Sequence, residues 1–196
     1  MASESDLFHA YNPLFKNDPV FLRRYESTKQ YSLSIRPVWI IGDLELLHDW
    51  IYSSQKKSNW ELDQNRYSLF QHYKNLLLSD RAQSFMVDQN GKPLIQFDVL
   101  SMQKSYLPSS SEPSGNDCYL YYLYKENFRD PEIFKKGLQC MIPFLFSFTE
   151  IHSVNLQLHR PDLAMSKLLT ETGFEPSHRE RSFGESLLVY RKEGDP

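Results

Sequence analysis

CYLYYLYKENFRDPEIFKKGLQCMIPFLFSFTEIHSVNLQLHRPDLAMSKLLTETGF, residues 118–174, carries four element signals in succession. Its first seven residues are dense in strand-forming aromatics. Asp130-Pro131 then places a capping residue before a proline at the first helical position, where a missing N–H costs nothing. Phe134, Leu138, Met141, Ile142 and Leu145 recur on one helical face, and Pro143 inside that helix is expected to kink it by removing a donor. SVNLQLHR alternates apolar and polar residues in the manner of a half-buried strand. DLAMSKLLTETGF reads as a helix closed by Gly173. The order is strand, helix, strand, helix.

Upstream, AQSFMVDQNGKPLIQFDVLSM (residues 82–102) reads as two strands around Asn90-Gly91, the strongest short-range hairpin signal. Residues 104–117, rich in Ser and Pro, are expected to form an exposed loop or long hairpin tip. Before the hairpin, Tyr67, Phe70, Tyr73, Leu77 and Leu78 recur at helical spacing, and Leu44, Leu47, His48 and Ile51 do so after a Gly42-Asp43 break that offers an N-cap. Leu33, Ile35 and Pro37 alternate with Ser34 and Arg36 as a first strand. Residues 1–30 show no sustained period and read as a poorly regular N-terminal extension, so the domain is placed at 31–192, with ESLLVYRKE as its last strand. A hairpin followed by βαβα gives an α/β class: a mixed sheet sandwiched by helices.

Composition narrows the partners. With 22 Lys+Arg against 25 Asp+Glu, the net charge of −3 supplies no field that would concentrate nucleic acid or an anionic membrane. No basic segment leads into an apolar run at the start, and no stretch reaches the ~20 apolar residues needed to span a bilayer, so a soluble, unexported, cytoplasmic chain is expected. Cys118 and Cys140 form no closely spaced pair, and the six histidines show no metal-site spacing, so no metal is assigned. The aromatic fraction of 14% suits a core or a cleft lined by rings equally well.

The element order is that of the GNAT (N-acetyltransferase) fold, a mainly antiparallel mixed sheet with helices on both faces. YSLSIRPVWIIGDLELLHDWI (residues 31–51), with SNWEL at 58–62, resembles the opening of the siderophore-pathway N-acyltransferases, and DLAMSKLLTETGFE resembles their helix-then-Gly-Phe ending. The likeness spans residues 31–192 and implies acyl transfer from acetyl-CoA, as co-substrate, to a small-molecule amine such as a hydroxylated diamine or amino acid. It also implies a pantetheine slot between two diverging strands, formed by backbone groups of Leu123, Tyr124 and Lys125. The family's glycine-rich pyrophosphate loop is replaced here by KENFRDPEIFKKG, in which Arg129 and Lys135 attract phosphate while Asp130 and Glu132 repel it. Tyr121 stands where this branch has a strand histidine, His159 where it has an aspartate, Asp162 in place of an asparagine, and Ser101 in place of an acceptor-pocket aromatic.

Acyl transfer to an amine needs a neutral amine, a polarised carbonyl and a proton for the leaving thiolate. A histidine titrating near ~6.5 can take the amine proton, which points to His159; the alternative is a structural histidine before Pro161. Tyr121 can serve the thiolate or the oxyanion, or simply pack in the core. Asp98 can hold the acceptor's ammonium, or be a solvated strand-face carboxylate. Trp60 can wall the acceptor pocket, or be a buried ring. The rival to the enzyme is a degenerate GNAT fold acting as a ligand-binding or interaction module; peptide or protein N-acetylation is a third reading.

Overall fold

The computed structural model describes residues 22–26, 31–54, 65–79, 81–101, 117–124, 131–149, 151–158, 163–182 and 185–193. Along the chain these form β1 (Leu22–Glu26), β2 (Tyr31–Pro37), α1 (Ile40–Ser54), α2 (Arg66–Leu77), β3 (Ala82–Gln89), β4 (Lys92–Ser101), β5 (Asp117–Leu123), α3 (Pro131–Leu145), β6 (Ser153–Leu158), α4 (Leu163–Glu171), β7 (Glu175–Ser182) and β8 (Glu185–Glu193). One sheet of eight strands has the order β1-β2-β3-β4-β5-β6-β8-β7. The β5–β6 pair is parallel and the others are antiparallel. This is the mixed, mainly antiparallel α/β architecture expected. Among the described residues, no helix is long and apolar enough to cross a membrane.

Alternation along the strands sends side chains to two separate cores. Leu33, Ile35, Phe85, Val87, Phe97, Val99 and Leu120 meet α3 and α4, whose Phe134, Leu138, Met141, Leu145, Leu168 and Leu169 are buried against them. On the other face, Met86 and Leu123 meet Leu47, Trp50 and Ile51 of α1 and Leu69 and Tyr73 of α2. Helices therefore cover both faces. Helix α3 lies close on the sheet, because a Cβ at Gly137 would stand 2.8 Å from Ile95 Cγ2 and 3.1 Å from the Phe97 ring. Pro143 falls in its last turn, where the helix is about to end anyway.

The turn signals act as their chemistry requires. Asn90 (φ 53°) and Gly91 (φ 74°) both take the left-handed conformation that a tight two-residue hairpin turn demands. Gly173 (φ 85°) follows α4, with Phe174 N–H bonded to Leu169 O at 2.9 Å and Gly173 N–H to Thr170 O at 3.0 Å. That pair of bonds satisfies carbonyls a helix end leaves open.

Two expectations are corrected. Leu22–Glu26, inside the stretch read as irregular, is a strand paired with β2 in register Leu22↔Ile35 to Glu26↔Tyr31. The segment LRRYE is too short and too charged to show a period, and its pairing with β2 is what makes it a strand. Helix α1 starts at Ile40 rather than after Gly42-Asp43. Asp43 caps it from inside the first turn, its Oδ2 accepting the Trp39 N–H at 2.8 Å.

Asp43 also fixes where α1 leaves the sheet. Arg36 of β2 donates to both Asp43 oxygens, Nη1 at 2.6 Å and Nη2 at 2.8 Å, and through Nε to Asp88 of β3 at 2.9 Å. Burial opposes the guanidinium's charge, but the two carboxylates more than offset it and raise its pKa further. Burial pushes Asp88 up, against the pull of Arg36. Arg36→Ala leaves two buried carboxylates uncompensated and frees the helix cap, so a loss of ~3 kcal/mol is expected in urea unfolding. A loss under ~1 kcal/mol would show the cluster to be peripheral to stability.

Candidate active site

Strands β5 and β6 pair over Asp117↔Ser153, Cys118↔Val154, Tyr119↔Asn155 and Leu120↔Leu156, and there the ladder stops. Both strands run on, β5 to Leu123 beside β4 and β6 to Leu158 beside β8. At the paired end, the buried Asp117 carboxylate accepts from Ser153 Oγ at 2.7 Å and from Arg191 Nη1 at 3.1 Å and Nη2 at 3.3 Å, tying β5, β6 and β8 together. Asn155 Nδ2 adds a bond to Cys118 O at 3.3 Å. The strands are thus clamped at one end and part at the other. Burial first, then the Asp117 charge, pushes the Cys118 thiol up to about 12, so it stays a protonated, unreactive thiol at neutral pH.

Tyr121 is the first β5 residue beyond the last paired position. It is half-buried, its ring 6.2 Å from that of Tyr119. Tyr119, Tyr121 and Leu123 share the α1/α2 face, while Tyr122 points the other way onto Phe134, with ring centroids 4.5 Å apart, and stacks on Tyr124.

Directly across β4 from Tyr121 is Asp98. It is 2% exposed, so it is not a solvated strand-face carboxylate. Ser84 Oγ and Gln96 Nε2 each donate to Asp98 Oδ1 at 2.5 Å, and Gln96 Nε2 lies 2.8 Å from Ser84 Oγ. Burial dominates and pushes Asp98 up to about 7, even though the bonds from Ser84 and Gln96 favour the charged form. Tyr73 of α2, wholly buried on the same face, has its phenol raised well above the ordinary value by burial and then by the fields of Asp98 and Asp43.

Of the residues singled out by sequence, the structure brings Tyr121 and Asp98 side by side, with Leu123 and Tyr124 at the end of the same strand. Lys135 lies on α3, its Nζ 3.8 Å from Glu171 of α4. Trp60, Lys125, Arg129 and His159 lie outside the described residues. Sequence reasoning missed Ser84, Gln96 and Tyr73.

A parity signal pointed to the first two. An unbroken hairpin closing at Gln89↔Lys92 would set Ser84 opposite Phe97 and Phe85 opposite Gln96, mixing polar and apolar residues on both faces. A shift between Val87 and Asp88 moves the register by one, giving Phe85↔Phe97 and Ser84↔Asp98. That is a β-bulge at Pro93-Leu94, next to a proline that cannot donate to the ladder.

No protein-family model matches the chain, nor does any curated protein sequence. Solved structures do share its fold. An uncharacterized protein (bh2621) of Bacillus halodurans superposes with a TM-score of 0.76 at 15% identity, over 88% of this chain and 89% of that one. The aminoglycoside acetyltransferase AAC(6')-Ib, in complex with coenzyme A and kanamycin, gives a TM-score of 0.69 at 14% identity over 82% and 94%. RimL, a ribosomal L7/L12 alpha-N-protein acetyltransferase in complex with coenzyme A, gives 0.66 at 12% identity over 82% and 93%. The architecture is therefore the GNAT fold.

Asp98 predicts a pH dependence. A carboxyl whose pKa is raised on folding, here from its ordinary 3.8 to about 7, gives stability that is complete below pH 3.8 and is lost as pH rises through 7. The ionised native state is penalised on the order of 4 kcal/mol at most. Asp98→Asn, which keeps an oxygen for Ser84 and Gln96, should match the parent protein in urea midpoint near pH 4 and exceed it at pH 8.5. A difference that does not change with pH would contradict the assignment.

Proposed function

We propose that the protein is an acyl-CoA-dependent N-acyltransferase that moves an acetyl group from acetyl-CoA to a small amine. The observation that carries this reading is the β5–β6 ladder, which ends at Leu120↔Leu156 while both strands continue. Strands that part in this way offer main-chain N–H and C=O groups to an extended amide chain, the chemistry of pantetheine. Two of the solved structures that share the fold, AAC(6')-Ib and RimL, hold coenzyme A.

In this reading the main chain of Leu123, Tyr124 and Lys125 receives the pantetheine, and Arg129 and Lys135 attract the phosphates in place of a glycine loop. Asp98 and Trp60 face the acceptor. His159, which directly follows β6, takes the amine's proton as the nitrogen attacks the thioester carbonyl; the C–S bond breaks, and Tyr121 donates to the thiolate. Kanamycin, bound in the AAC(6')-Ib structure, and the protein substrate named for RimL bracket the choices, and a hydroxylated diamine or amino acid of a siderophore-type pathway belongs to the first kind. A degenerate binding module is the rival.

Titration calorimetry with acetyl-CoA separates these classes: heat and a rise in melting temperature are expected, and the absence of both at saturating acetyl-CoA would remove the enzyme reading. Given binding, His159→Ala should lower turnover ~10²-fold or more with little change in acetyl-CoA affinity, and remove the limb of the pH–rate profile near ~6.5. Tyr121→Phe should cost less. A histidine variant with parental turnover and profile would make His159 structural.

A further inference from the structure

Three polar side chains on the α1/α2 face of the sheet keep acceptor capacity that the described residues do not use. Asp98 Oδ1 takes both available donors, and no hydrogen bond from the described residues engages Oδ2. Gln96 gives its Nε2 to Ser84 and Asp98, and its Oε1, sealed from solvent, has no partner. The Tyr73 hydroxyl, on a side chain that is 0% exposed, is likewise sealed and unpartnered. Gln96 and Asp98 are two apart on β4 and so point to the same side, and the phenol lies within the field of Asp98. Leaving the two sealed oxygens of Gln96 and Tyr73 unmatched costs ~1–3 kcal/mol each, which a structure retains where a ligand supplies the match.

The count and kind of these atoms define the match. Two are oxygens that only accept, the third is a hydroxyl that can accept, and one carries a formal charge. A primary ammonium, with three N–H donors and one positive charge, carries one donor for each; a hydroxyl has too few donors, and a quaternary ammonium has none.

We propose that Asp98, Gln96 and Tyr73 form a binding site for a primary ammonium group of the acceptor, with Ser84 a positioning residue that fixes the carboxylate through Oδ1. The site rests on the acyltransferase reading for its role, since it lies one strand from Tyr121, but binding of a cation there is independent of any reaction. A cation beside Asp98 also relieves the burial that pushes its carboxyl up to about 7.

The probe is 1,5-diaminopentane, with its bis-trimethylammonium counterpart as the control that keeps the charge and removes every N–H. At pH 8, millimolar diamine should raise the melting temperature of the full chain, and the quaternary analogue should not. Asp98→Asn should abolish the shift, Gln96→Leu should weaken it, and Tyr73→Phe, which removes one oxygen from an otherwise unchanged core ring, should weaken it about tenfold in apparent affinity. Acetyl-CoA affinity, measured separately, should be the same in all three variants, so failure of the coenzyme reading and failure of this site are distinguishable. No shift with the diamine, an equal shift with the quaternary analogue, or an undiminished shift in both Asp98→Asn and Tyr73→Phe would overturn the site.

Discussion

A buried carboxylate needs a counter-charge or a set of donors, and the way Asp117 meets that need shapes the middle of the sheet. Its partners, Ser153 and Arg191, come from β6 and β8, so one side chain at the start of β5 holds three strands together. β5 and β6 form four registered pairs, after which β5 stays with β4 and β6 stays with β8. The ladder ends at the far end of the pair from this polar anchor. That end fixes which residue comes first beyond the ladder, namely Tyr121, and through the β4–β5 register which residue stands behind it, namely Asp98.

The two carboxylate sets on the α1/α2 face illustrate different solutions to burial. Asp43 and Asp88 are held by Arg36, in a fork geometry that a guanidinium supplies and an ammonium cannot. Among the described residues Asp98 has only neutral donors, and neutral hydrogen bonds do not repay the loss of water around a full charge. The first arrangement stays charged and structural, linking β2, β3 and the start of α1. The second sits near its titration point, and Tyr73 senses both, since the fields of Asp98 and Asp43 act on its phenol. A protein that needed this face only for stability would be served by apolar residues at 84, 96 and 98, as it is by Phe85, Phe97 and Val99 on the opposite face.

Much of the architecture was legible because its signals are local. Asn90-Gly91 specifies a turn by backbone conformation, Gly173 closes a helix for the same reason, and Phe134, Leu138, Met141, Ile142 and Leu145 mark a helical face that is indeed buried. What escaped depends on partners distant in sequence. β1 is a strand by virtue of its pairing with β2. Asp43 looked like a residue ahead of the helix because its capping partner, the Trp39 N–H, precedes it. The surroundings of Asp98 required the bulge at Pro93-Leu94, and Tyr73, which periodicity marked only as a core position, comes within the field of Asp98 through the packing of α2 on that face, which no spacing encodes.

Register then orders the polar residues in space. Tyr121 of β5 and Ser84 of β3 each stand opposite Asp98 of β4, so the three form one row running perpendicular to the strands on the α1/α2 face. Exposure falls along this row, from the half-buried Tyr121 to Asp98 at 2% and Ser84 at 0%. Apolar contacts from Leu47, Trp50, Ile51 and Leu69 close the face from the helix side, and breaking them costs ~1.5–3 kcal/mol for each large side chain exposed. Among the described residues, the side toward Tyr121 is bounded by the end of the β5–β6 ladder. The end of the ladder and the polar row therefore meet at one residue of β5, Tyr121, which is where the slot proposed for an extended amide chain and the site proposed for an amine adjoin.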